Sequence, residues 1–261
     1  MFFHPVSRRL PLLFAVCIAL NSSRGQQPSA TPASGPMVER ISDSVMKVGE
    51  VTLDKNTRTV TFPGSINLDH GTMEYLIVQD GGKTHESLLV TTAQPFQIHV
   101  AMLLLGAKIP PQNAKEPPPD AINLAYLQNA PKPQGPNVMI FVRWTVGGKT
   151  MAAHAEDMMF DDAAKKPMSR GAWTYNGSMM SEGIFLAQQD RSIAALVIDP
   201  SALINNERPD SDNDQVWSIR ADKTPKAGTP VEISIQLLDN AANAAPSASP
   251  APSPVPSPAG K

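Results

Sequence analysis

Residues 138–150 read VMIFVRWTVGGKT, which is two β-rich runs joined by a pair of glycines. The first run, 138–146, is rich in valine, isoleucine and aromatic residues, and a second run begins at Thr150. Glycine reaches the left-handed backbone conformations that a tight turn between antiparallel strands needs. The stretch therefore predicts a β-hairpin that turns through Gly147, Gly148 and Lys149.

The same β-rich pattern recurs along the chain. Two more pairs of runs flank short turn segments: 48–53 with 59–62, and 73–79 with 84–91. Five further runs follow downstream: 172–176, 184–187, 193–198, 216–220 and 231–237. Short runs joined by turns predict a domain dominated by antiparallel strands.

One segment, residues 95–105, has the pattern of a helix. Pro95 suits a first helical turn, and Gly106 followed by Pro110 marks an end. Apolar residues wrap most of its surface, which predicts packing against the sheet rather than on a membrane. Residues 109–136 are proline-rich and predict a long loop. The predicted fold class is α+β, mainly antiparallel β with one packed helix (about 95–105) and a proline-rich loop.

The first 25 residues have the layout of a secretory signal peptide. Arg8 and Arg9 precede an apolar stretch, 10–20, which is shorter than the about 20 residues that span a membrane. We place cleavage after Gly25. We therefore expect an exported protein, periplasmic or secreted, without a transmembrane anchor after cleavage. The pair Arg8-Arg9 also leaves the twin-arginine export route open.

Composition divides the remaining chain into three parts. Residues 26–37 and 241–261 are rich in alanine, proline and serine and have few of the large apolar residues that a core needs. They predict a disordered linker and a disordered tail. Between them, residues 38–240 have the size and patterning of a single β-rich domain.

The residue counts exclude several kinds of chemistry. Cys17, the only cysteine, lies in the predicted signal peptide, so the mature chain would have neither disulfides nor thiol catalysis. Removal of residues 1–25 leaves 19 basic and 24 acidic residues, a net charge of −5. This balance, without a basic run, argues against nucleic acid as a partner. Signatures of the common serine hydrolases, kinases and dehydrogenases are also absent from the sequence.

Glu86 is the candidate general acid or base. A two-residue turn at Gly81-Gly82 would pair Ile77 with Glu86 and place Glu86 on an apolar face of the second hairpin. Burial there would raise the pKa of the carboxyl group, as catalytic acids and bases require. The alternative is a structural role, in which Glu86 pairs with Arg58 or Arg143 or caps backbone groups.

His85, Glu74 and His99 are candidate binding residues beside Glu86. Zinc accepts imidazole and carboxylate ligands, so these side chains, with His154, could meet at a metal site. The spacing does not identify such a site, because the position four residues after His85 lacks the second histidine of the zinc protease motif. The metal and any cofactor therefore stay unknown.

The segment 199–206 ends a β-rich run with the sequence DPSALINN. Aspartate followed by proline predicts an Asx-type turn that ends a strand. As a functional hypothesis, Asn205 and Asn206 line a polar cleft.

Several of these segments share the pattern of one known family. They are VTLDKNTRTVTFPGSINL (51–68), MEYL (73–76), THESLL (84–89), residues 95–106, and DPSALIN (199–205). Together they resemble the YdjY-like family of exported bacterial proteins. The resemblance implies an envelope or secreted location, and the family has no established activity. Some relatives carry a cysteine-rich stretch ahead of the segment matching 202–205; this chain does not, so an iron–sulfur role does not transfer.

Two functions fit these observations. The favoured one is a noncatalytic envelope module that binds or scaffolds an unidentified envelope protein or small ligand, because the sequence shows no complete catalytic constellation. The alternative is a small metal-dependent or carboxylate-based hydrolase that uses Glu86 with His85 and His99.

Overall fold

The computed structural model describes residues 38–110 and 132–238. Within these ranges it contains two α-helices, α1 (Pro95–Leu104) and α2 (Leu186–Asp190). Its strands are β1 Val38–Arg40, β2 Val45–Val48, β3 Val51–Asp54, β4 Thr59–Ile66, β5 Tyr75–Gln79, β6 Ser87–Thr91, β7 Asn137–Val146, β8 Lys149–His154, β9 Met159–Asp161, β10 Lys166–Pro167, β11 Trp173–Tyr175, β12 Met180–Ser181, β13 Ile184–Phe185, β14 Ser192–Ala195, β15 Ile204–Asn205, β16 Trp217–Ile219 and β17 Pro230–Leu237. The prediction of a mainly β domain with a helix at about 95–105 is confirmed in outline.

Eight strands close into a ring, which the sequence pattern did not predict. From β4 the order runs through β17, β7, β11, β15, β14, β5 and β6, and β6 pairs back to β4. Strands β1 to β3 extend the sheet from β4, and β8 extends it from β7. Alternate side chains point into the ring, so apolar residues such as Val60, Phe62, Val142 and Ile233 form the core.

The ring closes at β4, because one edge of this strand pairs with two different strands, β3 and β6. Residues 59–61 pair with β3, whereas Ser65 and Ile66 pair with Val90 and Leu89 of β6. Gly64 lies where the neighbours change. A Cβ atom there would stand 2.7 Å from Cδ1 of Ile233 and 2.9 Å from the Val90 carbonyl oxygen. Only glycine allows the strands to approach this closely.

Two of the predicted hairpins are confirmed. β7 and β8 pair antiparallel from Val146 and Lys149 outward. Gly147 and Gly148 form the turn with φ of 55° and 76°, the left-handed conformation expected of a two-residue hairpin. β3 and β4 also pair antiparallel, although the predicted run 48–53 is interrupted by a turn at Gly49 that separates β2 from β3.

The third predicted hairpin, at Gly81-Gly82, is wrong. β5 and β6 are parallel, with Tyr75 beside Ser87 and Ile77 beside Leu89. The intervening residues 80–86 carry the chain back along the sheet, and Thr84–Glu86 forms a single 3-10 turn. A second parallel pair joins β14 to β15. The sheet is therefore mixed, although most of its pairings are antiparallel.

The downstream runs form strands close to the predicted positions, with one exception. The run 184–187 is a two-residue strand, β13, that continues directly into α2. Within β7, residues 141–146 pair with β8, whereas 137 and 138 pair with β11. At this divergence Oε1 of buried Glu156 accepts hydrogen bonds from the Gly171 amide (3.2 Å), Trp173 Nε1 (3.1 Å) and Arg208 Nη2 (2.8 Å).

Helix α1 begins at Pro95 and packs against β2, β3 and β4. Its Ile98, Ala101 and Met102 are buried. Phe96, Leu103 and Leu104, by contrast, are 39%, 46% and 38% exposed. The predicted packing against the sheet is therefore confirmed, and part of the apolar surface of α1 stays exposed because it is wider than the sheet covers.

Several predictions lie outside the described residues. These are the signal peptide (1–25), the linker (26–37), residues 111–131 of the proline-rich loop, and the tail (241–261). In the ranges that the structure does describe, none of the helices has the length and apolar character needed to cross a membrane.

We predict that Gly64→Ala destabilises the protein by about 1–3 kcal/mol, the usual effect of overpacking. The added methyl group would push Ile233 or the β6 backbone away from the closure. Urea unfolding measures the change. Gly171→Ala is the matched control, because its Cβ would meet only Nη2 of Arg208 at 3.5 Å, an ordinary contact. Equal stabilities of the two variants would contradict the closure argument.

Candidate functional site

His85 and Glu86 lie in the 3-10 turn that leads into β6, not on a strand. The predicted placement of Glu86 opposite Ile77 is wrong, because β5 and β6 run parallel and Ile77 stands beside Leu89. Nε2 of His85 is 3.5 Å from Oε2 of Glu86, and their side chains are 78% and 22% exposed. Arg143 pairs with Glu232 instead of Glu86.

Glu74 lies next to this turn. Its backbone N–H donates to the Glu86 carbonyl oxygen at 3.0 Å. Partial burial raises the pKa of the Glu74 carboxyl group, and the nearby charge of Glu86 raises it further. The structure therefore brings together three of the predicted residues, Glu74, His85 and Glu86, at one end of β5.

Tyr75 is the centre of a polar cluster beside these residues. Its hydroxyl group donates to Oδ2 of Asp199 at 2.9 Å and accepts a hydrogen bond from Nζ of Lys83. The Lys83 ammonium also lies 4.5 Å from the centre of the Tyr75 ring. Burial, and after it the charge of Asp199, raises the pKa of Tyr75, so the hydroxyl group keeps its proton at neutral pH.

This cluster ties together the two connections between parallel strands. Lys83 belongs to the segment 80–86 between β5 and β6, and Asp199 belongs to the segment 196–203 between β14 and β15. Parallel strands usually need crossovers of about a dozen residues or more. Here both connections are shorter, and Tyr75 joins them.

The predicted Asx-type turn is present at Asp199. Oδ1 of Asp199 accepts hydrogen bonds from the Ser201 amide at 2.9 Å and from the Ser201 hydroxyl at 2.6 Å. The Asn205 side chain makes two hydrogen bonds to the backbone of Asp199. Its Oδ1 accepts from the Asp199 amide at 2.7 Å, and its Nδ2 donates to the Asp199 carbonyl at 2.9 Å. Asn206 donates to the Leu196 carbonyl at 3.0 Å. Both asparagines are buried, so their amide groups hold the loop.

His99 has a different set of neighbours. One ring nitrogen, Nδ1, lies 2.8 Å from the Tyr175 hydroxyl, and the Phe185 ring is 5.0 Å away. Burial lowers the pKa of His99, which favours the neutral imidazole. The contacts of His99 thus lie with Tyr175 and Phe185, not with the pair His85–Glu86 that the hydrolase hypothesis joins to it.

No group of three or more histidine, cysteine, aspartate or glutamate residues in 38–110 and 132–238 has the geometry to hold a metal ion. His154, a further candidate ligand, is buried against Phe141 with ring centres 4.7 Å apart. Burial lowers its pKa.

A cavity of about 590 Å³ lies on the outer face of the sheet, across β3, β4, β17, β7 and β8. We call it the outer-face groove. Its outward-pointing side chains are Thr52, Thr61, Pro63, Arg143, Thr145, Thr150 and Glu232, with Glu50 and Pro230 at its margin. Arg143 and Glu232 form an ion pair, Nη1 to Oε1, of 3.0 Å. The groove thus combines hydroxyl groups with one guanidinium group and carboxylates.

Our sequence reasoning missed both the Tyr75 cluster and the groove. Tyr75 stood in the segment MEYL, and Asp199 in the predicted turn, but nothing in the sequence showed that they meet. The groove had a weak signal, since Thr52, Thr61, Arg143 and Thr145 occupy the polar positions of alternating strands.

We predict that Tyr75→Phe lowers the free energy of unfolding by about 1–3 kcal/mol, because it leaves a buried carboxylate oxygen without its donor. Urea unfolding at neutral pH measures the change. Lys83→Met should have a smaller effect, since Lys83 is only half-buried. A Tyr75→Phe variant as stable as the parent would show that the cluster does not hold the two connections.

Comparison with known proteins identifies the family. A family model described as the YdjY domain matches residues 51–236, which include the ring, the Tyr75 cluster and the groove. Neither a curated protein nor a solved structure gives a match. The match covers well over half of the sequence, and the chain therefore belongs to the YdjY family.

Proposed function

We propose that the chain is an exported, noncatalytic binding module of the cell envelope, and that it takes a polar ligand in the outer-face groove. The groove is the observation that carries the proposal. It is open to solvent and lies on paired strands, which hold side chains more rigidly than loops do.

The groove's chemistry suits an uncharged ligand with many hydroxyl or amide groups. Four threonines, Thr52, Thr61, Thr145 and Thr150, supply hydroxyl groups, each with one donor and two acceptor sites, and Thr61 Oγ1 uses part of this capacity in a 3.1 Å hydrogen bond with Ser234 Oγ. Arg143 and Glu232 balance each other in charge, and both side chains are about half exposed. An exposed ion pair of this kind contributes little to stability, so its polar atoms are free to exchange water for a ligand.

The open shape favours an elongated ligand laid across the strands over a small molecule enclosed in a pocket. A neutral oligosaccharide has this chemistry. The hydrolase alternative has less support, because His99 contacts Tyr175 and Phe185 rather than Glu86.

We predict that neutral oligosaccharides bind the purified chain and that the double variant Thr61→Val/Arg143→Met weakens this binding at least tenfold. Loss of one hydrogen bond to a charged group costs about 1.5–3 kcal/mol, and 1.4 kcal/mol corresponds to tenfold. Isothermal titration with a panel of oligosaccharides, and with short peptides for comparison, measures it. Arg40→Met, outside the groove, is the control. Failure of every sugar to bind, or equal binding by the groove variant, would refute the assignment.

We also predict that the chain is exported and processed. In cells that express the full sequence, the protein should appear in the periplasmic or secreted fraction with a mass that begins at Gln26. Fractionation followed by intact mass spectrometry checks both points. Full-length protein that stays in the cytoplasm would contradict the export proposal without affecting the groove.

A further inference from the structure

Strand β8 has a free edge. It pairs with β7 alone among the described strands. In the register set by Val146 and Lys149, the backbone groups of Lys149, Met151 and Ala153 bond to β7. Those of Thr150 and Ala152 point the other way, towards solvent, and residues 149–152 are exposed. The edge therefore presents two N–H and two C=O groups in strand geometry.

Two other edge strands carry the usual protection against pairing. β1 includes Glu39 and Arg40, and β10 consists of Lys166 and Pro167. Charge and proline on an edge strand are common devices against association. β8 has a lysine, Lys149, beside the turn, but no charge or proline from Thr150 to Ala153, so the middle of its edge is without these devices.

One face of the β7–β8 hairpin is apolar and exposed. Met151 lies directly opposite Trp144, and the two side chains share this face with Val146 and, beside the turn, Lys149. Met151 is 45% exposed and Val146 is 60% exposed, whereas Trp144 is partly buried against the core. A strand added to β8 would place alternate side chains on this apolar surface.

We propose that two copies of the chain pair antiparallel through β8 and join their sheets into one. The free backbone groups decide the register: Thr150 of each copy exchanges hydrogen bonds with Ala152 of the other, which brings the two Met151 residues face to face. Lys149 then lies opposite Ala153, so no like charges meet. The pairing is self-complementary, as a two-fold symmetric dimer requires.

The side chains at the centre of this pairing fit one another. The two Met151 residues occupy a non-hydrogen-bonded pair, where Cα atoms come within about 4.5 Å. Methionine adapts its shape to such a contact. On the opposite face Thr150 and Ala152 are small, and Arg143 stays paired with Glu232 on its own sheet. The dimer therefore leaves the ion pair of the groove intact.

Sedimentation velocity over a concentration series tests the proposal. We expect the parent chain to form a dimer that dissociates on dilution, and Met151→Lys to be monomeric across the range because it sets two like charges against each other. Met180→Lys is the matched control, since Met180 is 46% exposed but lies on β12. Melting temperatures of both variants check that the fold is kept. A monomeric parent, or Met180→Lys dissociating as readily as Met151→Lys, would overturn the proposal.

A crosslink tests the register. In a Cys17→Ser background Met151→Cys contains the single thiol of the chain, and the expected Cα distance suits a disulfide. Mild oxidation should link most of the Met151→Cys chains into covalent dimers, whereas Met180→Cys should give few. Comparable crosslinking of the two variants would exclude pairing through β8 in this register.

Discussion

Closure of the sheet at β4 is the constraint on which the other features depend. One edge of β4 serves β3 along its first half and β6 along its second, and only two residue pairs join β4 to β6. Side chains reinforce this short contact. The Asn67 amide donates to the Thr84 and Ser87 carbonyls, and the Thr91 hydroxyl donates to the Pro63 carbonyl. Without the closure, β6 would have a free edge, and β5, β6 and β14 would be joined to the other strands only through β15 and β11.

Polar side chains also form hydrogen bonds at two places where the pairing of strands is interrupted. The first place lies along β7, whose neighbour changes from β8 to β11. There the Glu156 carboxylate accepts hydrogen bonds from the Gly171 amide and from Trp173 Nε1. Where two short parallel connections pass close to each other, Tyr75 joins Lys83 to Asp199. Most buried polar groups in folded proteins are bonded, and Oε1 of Glu156 follows this rule although its Oε2 has no hydrogen-bond partner among the described residues. The polar residues of these segments therefore stabilise the scaffold, whereas the polar residues of the outer-face groove face solvent.

The sequence predicted local features well and long-range ones poorly. The Gly147-Gly148 turn, the helix from Pro95 and the Asx turn at Asp199 depend on residues close in sequence, and all three are present. The hairpin at Gly81-Gly82 was mistaken because these glycines serve a tight return between parallel strands. Because of this error, Glu86 was predicted on an apolar strand face, whereas it lies in the 3-10 turn before β6. The contact between Tyr75 and Asp199 depends on pairings between distant segments, and so does the groove across five strands. Hydrophobic periodicity does not encode such pairings.

The strand order also determines when the domain can form. β17, the last strand of the ring along the chain, is inserted between β4 and β7; its residues pair with residues of β4 that lie 165–177 positions earlier and with residues of β7 that lie 87–99 positions earlier. The ring cannot close until residues 230–237 have left the ribosome, and until then β4 and β7 each expose a strand edge. Contacts between such distant residues slow folding, because the chain loses entropy before it gains them. The complete ring can therefore form only after its last strand has been synthesised, and the earlier strands keep unpaired edges until then.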